Sequence, residues 1–217
     1  MLPALVIFDL DGTLVDSSPD IRNAVNSAVA PYGGSAISLQ ETRDLVGEGI
    51  TRLMEKVAAM QSLKVPVAEL VDRFMDYYSR HLVDHTTVYP GVRETLTELL
   101  SCKKAVVSNK REELSVRTLD ALRLAPFFDL TAGSETTPEK KPSPLPIFYV
   151  LDKLGVAPEQ AVMVGDSSYD VEAGQRAGVG TIAVAYGYRS VDVLRNADLI
   201  INHMSELPDA LRKLSRR

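Results

Sequence analysis

The chain is poor in the features that mark several protein classes. It has one cysteine, Cys102, so no disulfide can form within it, and no accompanying motif surrounds that residue; a plain packed or partly exposed thiol is expected. Its start lacks a basic segment followed by an apolar core and a cleavage site, so no secretory signal is expected. No apolar run approaches the ~18 residues that a membrane helix needs, so no membrane partner is expected either. Lys and Arg do not cluster, and the formal net charge is −5, which argues against a nucleic-acid partner. The short basic tail, Arg212-Lys213 followed by Arg216-Arg217, reads as the solvated end of a terminal helix, where cations are favoured. The expected compartment is the cytoplasm. No internal repeat or low-complexity tract interrupts the chain.

What is present is ordinary globular material. Of 217 residues, 45% are hydrophobic and 24% charged, enough to bury a sizeable core. The length suits one large domain, or one domain with an insertion. Residues 3–9 read as a buried strand. A helical block follows, from about 18 to about 85, with four helices and no strand. Ser18-Pro19 is a helix start. Ser38 with Glu41 fits a capping box. Apolar positions from Val67 to Val83 carry helical spacing. Tyr89-Pro90-Gly91 is punctuation.

After it, strands near 105–108, 127–131, 161–165, 181–185 and 199–201 alternate with helices near 111–122, 147–154 and 168–177. Strands separated by helices predict a parallel sheet with right-handed crossovers. Strands buried on both faces read as apolar runs, as these do. The expected fold class is therefore α/β: a doubly wound parallel-sheet core, residues 1–15 and 86–217, with an all-α insertion, residues 16–85, as a candidate lid.

Chemistry concentrates where strands end. Leu5-Val6-Ile7-Phe8 runs into Asp9 and Asp11, with Gly12 and Thr13 behind. Val107 runs into Ser108-Asn109-Lys110, and Gly165 into Asp166-Ser167-Ser168-Tyr169-Asp170. Ligands of open parallel sheets bind beyond the carboxyl ends of the strands. If these ends adjoin, several carboxylates converge, raise one another's pKa and invite a cation. Few, hard oxygen ligands suit Mg²⁺. One carboxylate could be a nucleophile toward phosphorus, and another, two residues on, a general acid and base.

These segments carry a resemblance. Asp9-Leu10-Asp11-Gly12-Thr13-Leu14-Val15-Asp16-Ser17 resembles the first motif of the haloacid dehalogenase (HAD) superfamily; Ser108-Asn109 resembles the second, Lys141-Pro142 the third, and Gly165 to Asp170 the fourth. The order is that of the superfamily, over essentially the whole chain, and the insertion resembles the small helical cap of one of its subgroups. The resemblance implies Asp9 as nucleophile, Asp11 as general acid/base, and Lys141 as stabiliser of the nucleophile and phosphate charge. It implies Gly12, Ser108 and Asn109 as the phosphate cradle. It implies Mg²⁺ on Asp9, the Asp11 main-chain carbonyl and Asp166, with Asp170 in support. Asp11 separates two reactions: an alkoxide needs a proton to leave and a halide does not, so phosphoryl transfer is expected rather than dehalogenation.

Within the superfamily the chain is similar to phosphoglycolate phosphatases, at Asp16 to Ile21, at Val46-Gly47-Glu48-Gly49-Ile50 and at Tyr186-Gly187-Tyr188. The implied activity is Mg²⁺-dependent hydrolysis of a small phosphate monoester, 2-phosphoglycolate foremost. Inorganic pyrophosphate and sugar phosphates are the alternatives, although Pro19 and Ile21 stand where mutases carry Glu and His. A non-catalytic phospho-ligand sensor is a remote alternative, opposed by the intact acids and lysine. Gly47, Gly49 and Arg52 could meet the substrate's carboxylate at a helix N-terminus, or be only a turn and a solvated arginine. His81 and His85, four apart, could share a helix face but form no metal pattern. Monomer and homodimer are both open.

Overall fold

In the computed structural model, residues 2–214 are described. In chain order, strand β1 (Leu5–Phe8) leads through the two-residue strand Val15–Asp16 into four helices: α1 (Ser18–Val29), α2 (Leu39–Leu45), α3 (Ile50–Met60) and α4 (Val67–Tyr78). The chain returns through Thr87–Val88 to α5 (Val92–Glu98), β2 (Lys103–Val107) and α6 (Glu112–Ala121). Then follow β3 (Leu130–Ala132), α7 (Leu145–Leu154), β4 (Ala161–Gly165), α8 (Ser168–Ala177), β5 (Gly180–Val184), β6 (Leu199–Ile201) and α9 (Leu207–Leu214). Arg216 and Arg217 of the basic tail lie outside the described residues. No described helix is long and apolar enough to cross a membrane.

The chain divides into two compact units, residues 1–16 with 88–217, and residues 17–87. The breaks fall one and two residues from the expected positions.

The first unit is built on a six-stranded sheet in the order β3-β2-β1-β4-β5-β6, with every pairing parallel. Alternate strand residues reach opposite faces. Val6, Phe8, Val106 and Val164 join Leu96, Leu119, Leu207 and Leu211 in one core cluster. Leu5, Ile7, Ala105 and Met163 join Ile147, Val150, Leu151 and Ala173 in another. Leu5 to Phe8 are all 0% exposed, which is why this strand is apolar at every position. Complete burial of such a side chain is worth about 1.5–3 kcal/mol. The strand order reverses between β1 and β4, the crevice where ligands of such sheets bind.

Several expectations need correction in this unit. Helix α5 has no counterpart among the expected elements. The strand expected at 127–131 begins at Leu130, because Pro126 shapes Ala125–Phe127 into a 3₁₀ turn. Asp16, expected in the insertion, joins Val15 in a short extended segment and belongs to the core unit.

The helical unit packs α1 against α4 and α4 against α3. Its core comprises Ile21, Val25 and Val29 of α1, Leu53, Met54 and Val57 of α3, and Leu70, Phe74 and Tyr78 of α4. The Phe74 and Tyr78 rings lie 5.1 Å apart, one turn from each other. The capping box forms: Glu41 N donates to Ser38 Oγ and Ser38 N to Glu41 Oε2. At α1 the cap is Ser17 rather than Ser18, so Pro19 takes the second helical position. Helix α4 stops at Tyr78, so His81 and His85 do not share a helix face; His81 pairs with Asp84 and His85 with Asp20.

Candidate active site

Asp9 directly follows β1 and Asp166 directly follows β4, and these strands are neighbours in register, Phe8 opposite Val164. Asp9 N donates to Val164 O at 2.9 Å, which fixes where the acid leaves the sheet. Oxygens of Asp9, Asp166 and Asp170 lie within 4.8 Å of one another. The crevice between β1 and β4 thus collects the acids that the sequence scatters over 160 positions.

Lys141 joins them from the loop before α7. Its Nζ lies 3.0 Å from Asp9 Oδ1 and 2.6 Å from Asp170 Oδ1, and donates to Val107 O at 2.6 Å. The ammonium is 2% exposed, and burial alone would lower its pKa; Asp170 and Asp9 outweigh this and hold it above its usual range. Lys141 therefore stays cationic, with its position set by three acceptors. Asp170 is also tied through its other oxygen, which accepts from Ser167 N at 3.0 Å and Ser167 Oγ at 2.6 Å.

Burial works in the other direction on the carboxylates. It pushes Asp9 up to about 7, with Lys141 opposing and Asp170 and Asp11 reinforcing the rise. It pushes Asp166 well above the usual carboxylate range, reinforced by Asp170 and Asp9 and opposed by the Tyr188 N–H. Four acids, Asp9, Asp11, Asp166 and Asp170, face two lysines, Lys110 and Lys141. The acids outnumber these lysines, with Arg189 also acting on Asp166, so a surplus of negative charge is left that a divalent cation would reduce. The donor set is all oxygen and the gap is of chelating size, so the residues fit a hard divalent cation. Such an ion would also bring the raised carboxyl pKa values back down.

The phosphate-cradle residues lie at the neighbouring strand end, after β2. Ser108 is buried, its N–H donating to Ala132 O and its Oγ accepting from Lys110 N. Asn109 Nδ2 donates to Lys141 O at 3.0 Å, tying this strand end to the lysine loop. Gly12 has a φ of 86°, and a Cβ there would lie 2.3 Å from Asp166 Oδ2. Only glycine lets the turn after Asp11 pass so close to the Asp166 carboxylate.

Three contributors, Lys110, Gly187 and Tyr188, were not assigned to the site from the sequence. Lys110 Nζ lies 3.0 and 3.2 Å from the two oxygens of Asp11, and its side chain is 5% exposed. Its place beside Ser108-Asn109 at a strand end was the available signal. Tyr188 N donates to Asp166 Oδ2 at 2.6 Å, and Gly187 packs against Asp166 and the Gly12 carbonyl. The side chain of Asp11 faces Lys110, so the close acidic triad is Asp9, Asp166 and Asp170, without Asp11.

The three substrate residues named on the insertion belong to the helical unit. Gly47 and Gly49 have φ of 124° and 81°, and Gly49 caps α3. The Arg52 side chain is 57% exposed and pairs with Glu48 and Glu55 of its own unit.

Residues 6–184 match the family model described as haloacid dehalogenase-like hydrolase. A phosphoglycolate phosphatase of Chromobacterium violaceum is 41% identical over 213 residues, covering 95% of this chain and 96% of that protein. One of Aquifex aeolicus is 41% identical over 186 residues, covering 85% of each chain. Among solved structures, a predicted phosphoglycolate phosphatase from Haemophilus somnus superposes with a TM-score of 0.90 at 29% identity, over 95% of this chain and 97% of that one. With its family model spanning most of the chain and curated relatives matched nearly end to end, this protein belongs to the haloacid dehalogenase-like hydrolase family.

Proposed function

We propose that this protein is a Mg²⁺-dependent phosphatase that hydrolyses a small phosphate monoester, 2-phosphoglycolate foremost, through a phosphoryl intermediate on Asp9. The observation that carries the reading is the Lys141 ammonium held between Asp9 and Asp170 at the end of β1, beside Asp166. It presents one carboxylate in a fixed orientation, with a cation behind it and a cation-binding gap at its side. The names carried by relatives at about two-fifths identity support phosphoglycolate as the ester.

In this reading an Asp9 oxygen attacks phosphorus, the ester P–O bond breaks, and Asp11, as the carboxylic acid, passes its proton to the leaving oxygen. Water then attacks the acyl phosphate, and the Asp11 carboxylate takes up its proton. Asp9 departs as a carboxylate while inorganic phosphate is released. Lys141 steadies the charge on Asp9 and the transferring group. The Ser108 hydroxyl, the Asn109 amide and the backbone amides around Gly12 hold the phosphoryl oxygens, which is positioning and charge stabilisation rather than further bond chemistry. Mg²⁺, when bound, offsets the charge of carboxylates and phosphoryl oxygens. Asp9, Asp166 and the Asp11 carbonyl would hold it, while Asp170, engaged by Lys141 and Ser167, supports from behind. On the helical unit, Gly47, Gly49 and Arg52 are the candidates for the carboxylate end of the substrate, a role for which Arg52 would give up its pairing with Glu48 and Glu55.

The test is a comparison of kcat/KM for phosphoglycolate, inorganic pyrophosphate, hexose phosphates and nucleoside monophosphates with Mg²⁺. Phosphoglycolate should lead. A preference for pyrophosphate would replace the substrate, and no Mg²⁺-dependent phosphate release from any of them would end the phosphatase reading.

A further inference from the structure

Lys110 is a buried cation whose contact with Asp11 the steps above do not use. Both oxygens of Asp11 lie within 3.2 Å of its Nζ, so the ammonium straddles the carboxyl group rather than touching one corner. The side chains are 5% and 11% exposed, so solvent screens the pair little. Lys110 is itself placed by the turn after β2, where its N–H donates to Ser108 Oγ. A carboxyl group on a turn has two free torsions, and contact with both its oxygens removes most of that freedom. The lysine thus stands to Asp11 as Lys141 stands to Asp9: each of these two acids has its own buried ammonium, from a different loop.

We propose that Lys110 is a positioning residue for proton transfer, orienting the Asp11 carboxyl toward the leaving-group oxygen while Lys141 serves the nucleophile. The proposal rests on Asp11 being the general acid and base. It separates the two lysines by step. Loss of Lys110 harms the parts of the reaction that need a proton moved, namely departure of a basic alkoxide and attack of water. Loss of a merely structural lysine would harm every substrate alike.

The experiment measures phosphoenzyme formation by rapid quench for two esters, an alkyl phosphate (phosphoglycolate) and 4-nitrophenyl phosphate, whose leaving group departs with little need of a proton. Wild type, Asp11→Asn, Lys110→Met, Lys110→Gln and the double variant Asp11→Asn/Lys110→Met are compared, each checked for its fold by circular dichroism. Correctly placed proton transfer is worth roughly 10²–10⁴-fold. Lys110→Met should therefore slow the alkyl ester by roughly 10-fold or more beyond its effect on the aryl ester. The aryl ester should show a burst, because water attack becomes limiting. In the Asp11→Asn background the same change should add little, since the two residues act as one unit. Lys110→Gln, which keeps a polar side chain of similar length, must give the same pattern and carries the test if Lys110→Met does not fold. Equal loss on both esters from the lysine variants, with Asp11→Asn still discriminating, would overturn the proposal alone. If Asp11→Asn also lost both equally, the acid–base reading of Asp11 would fall, and the proposal with it.

Discussion

Gly187 offers the sharpest steric test of the cation site. A Cβ added there would lie 2.2 Å from Asp166 Cβ and 2.6 Å from the Gly12 carbonyl oxygen. Ordinary carbon–carbon contact needs about 3.5–4.0 Å, so the first approach is short by more than about 1 Å. Rotating the Asp166 carboxylate cannot relieve it, because the clash involves the Asp166 Cβ and a backbone oxygen. Either the loop carrying Gly187 withdraws, which breaks the 2.6 Å bond from Tyr188 N to Asp166 Oδ2, or Asp166 itself shifts. Loss of an outer contact to a metal-binding carboxylate typically costs about 10–100-fold in affinity, or roughly 1.4–2.7 kcal/mol. Gly187→Ala should therefore weaken Mg²⁺ binding by that factor in a calorimetric titration of the substrate-free protein. Gly155→Ala is the control. A Cβ there meets nothing within 4 Å, but its φ of 61° is left-handed, so the change should cost about 1 kcal/mol of stability and leave Mg²⁺ binding unchanged. Wild-type Mg²⁺ affinity in a folded Gly187→Ala protein would refute the claim that Gly187 and Tyr188 place Asp166.

Two further predictions concern pH and the helical unit. Asp9 has a pKa of about 7 in the folded chain against an ordinary value of 3.8, so between these the folded state keeps a proton that the unfolded state has released. Stability of the metal-free protein should fall as pH rises through that window, by at most about 4 kcal/mol, and then level off. A cation needs the ionised form, so Mg²⁺ should raise Tm more at about pH 7.5 than at about pH 5; a Mg²⁺ effect that ignores pH would contradict the Asp9 assignment. In the helical unit, Asp20 is 1% exposed and accepts from His85 N, His85 Nδ1, Thr86 N and Thr86 Oγ1. Burial would raise its pKa, but the hydrogen bonds from Thr86 and His85 prevail and lower it. Asp20→Ala should destabilise the protein by roughly 2–4 kcal/mol in urea unfolding, through the buried donors it strands. The Asp20 contribution should be full above the ordinary carboxylate pKa and fade as pH falls through the lowered value. A loss under about 0.5 kcal/mol would refute the role of Asp20 in binding α1 to the returning chain.

Most of the core was legible because its strands are buried on both faces and therefore write their burial in consecutive residues, as at Leu5-Val6-Ile7-Phe8. The acids were legible because they sit where such runs stop. Helix α5 was not, since seven residues after Pro90-Gly91 carry too few apolar positions to reveal a period, and only Val92 and Leu96 are its buried hydrophobic residues. A common helix face was open to His81 and His85 because the apolar spacing runs on to Val83, whereas the regular helix ends at Tyr78. Lys110 and Gly187 show a different limit. Each acts on an acid about 20 to 100 positions away, and no local pattern records a partner at that distance. Only the strand order, which brings the ends of β2, β1, β4 and β5 together, makes those contacts visible.

The central claim is that Asp9 accepts the phosphoryl group, and mapping the phosphorylated residue after an acid quench measures it most directly. Protein mixed with labelled phosphoglycolate and Mg²⁺, quenched within a turnover and digested, should carry its label on the peptide containing Asp9, and Asp9→Asn should carry none. Label on another residue, or undiminished turnover in Asp9→Asn, would contradict the account.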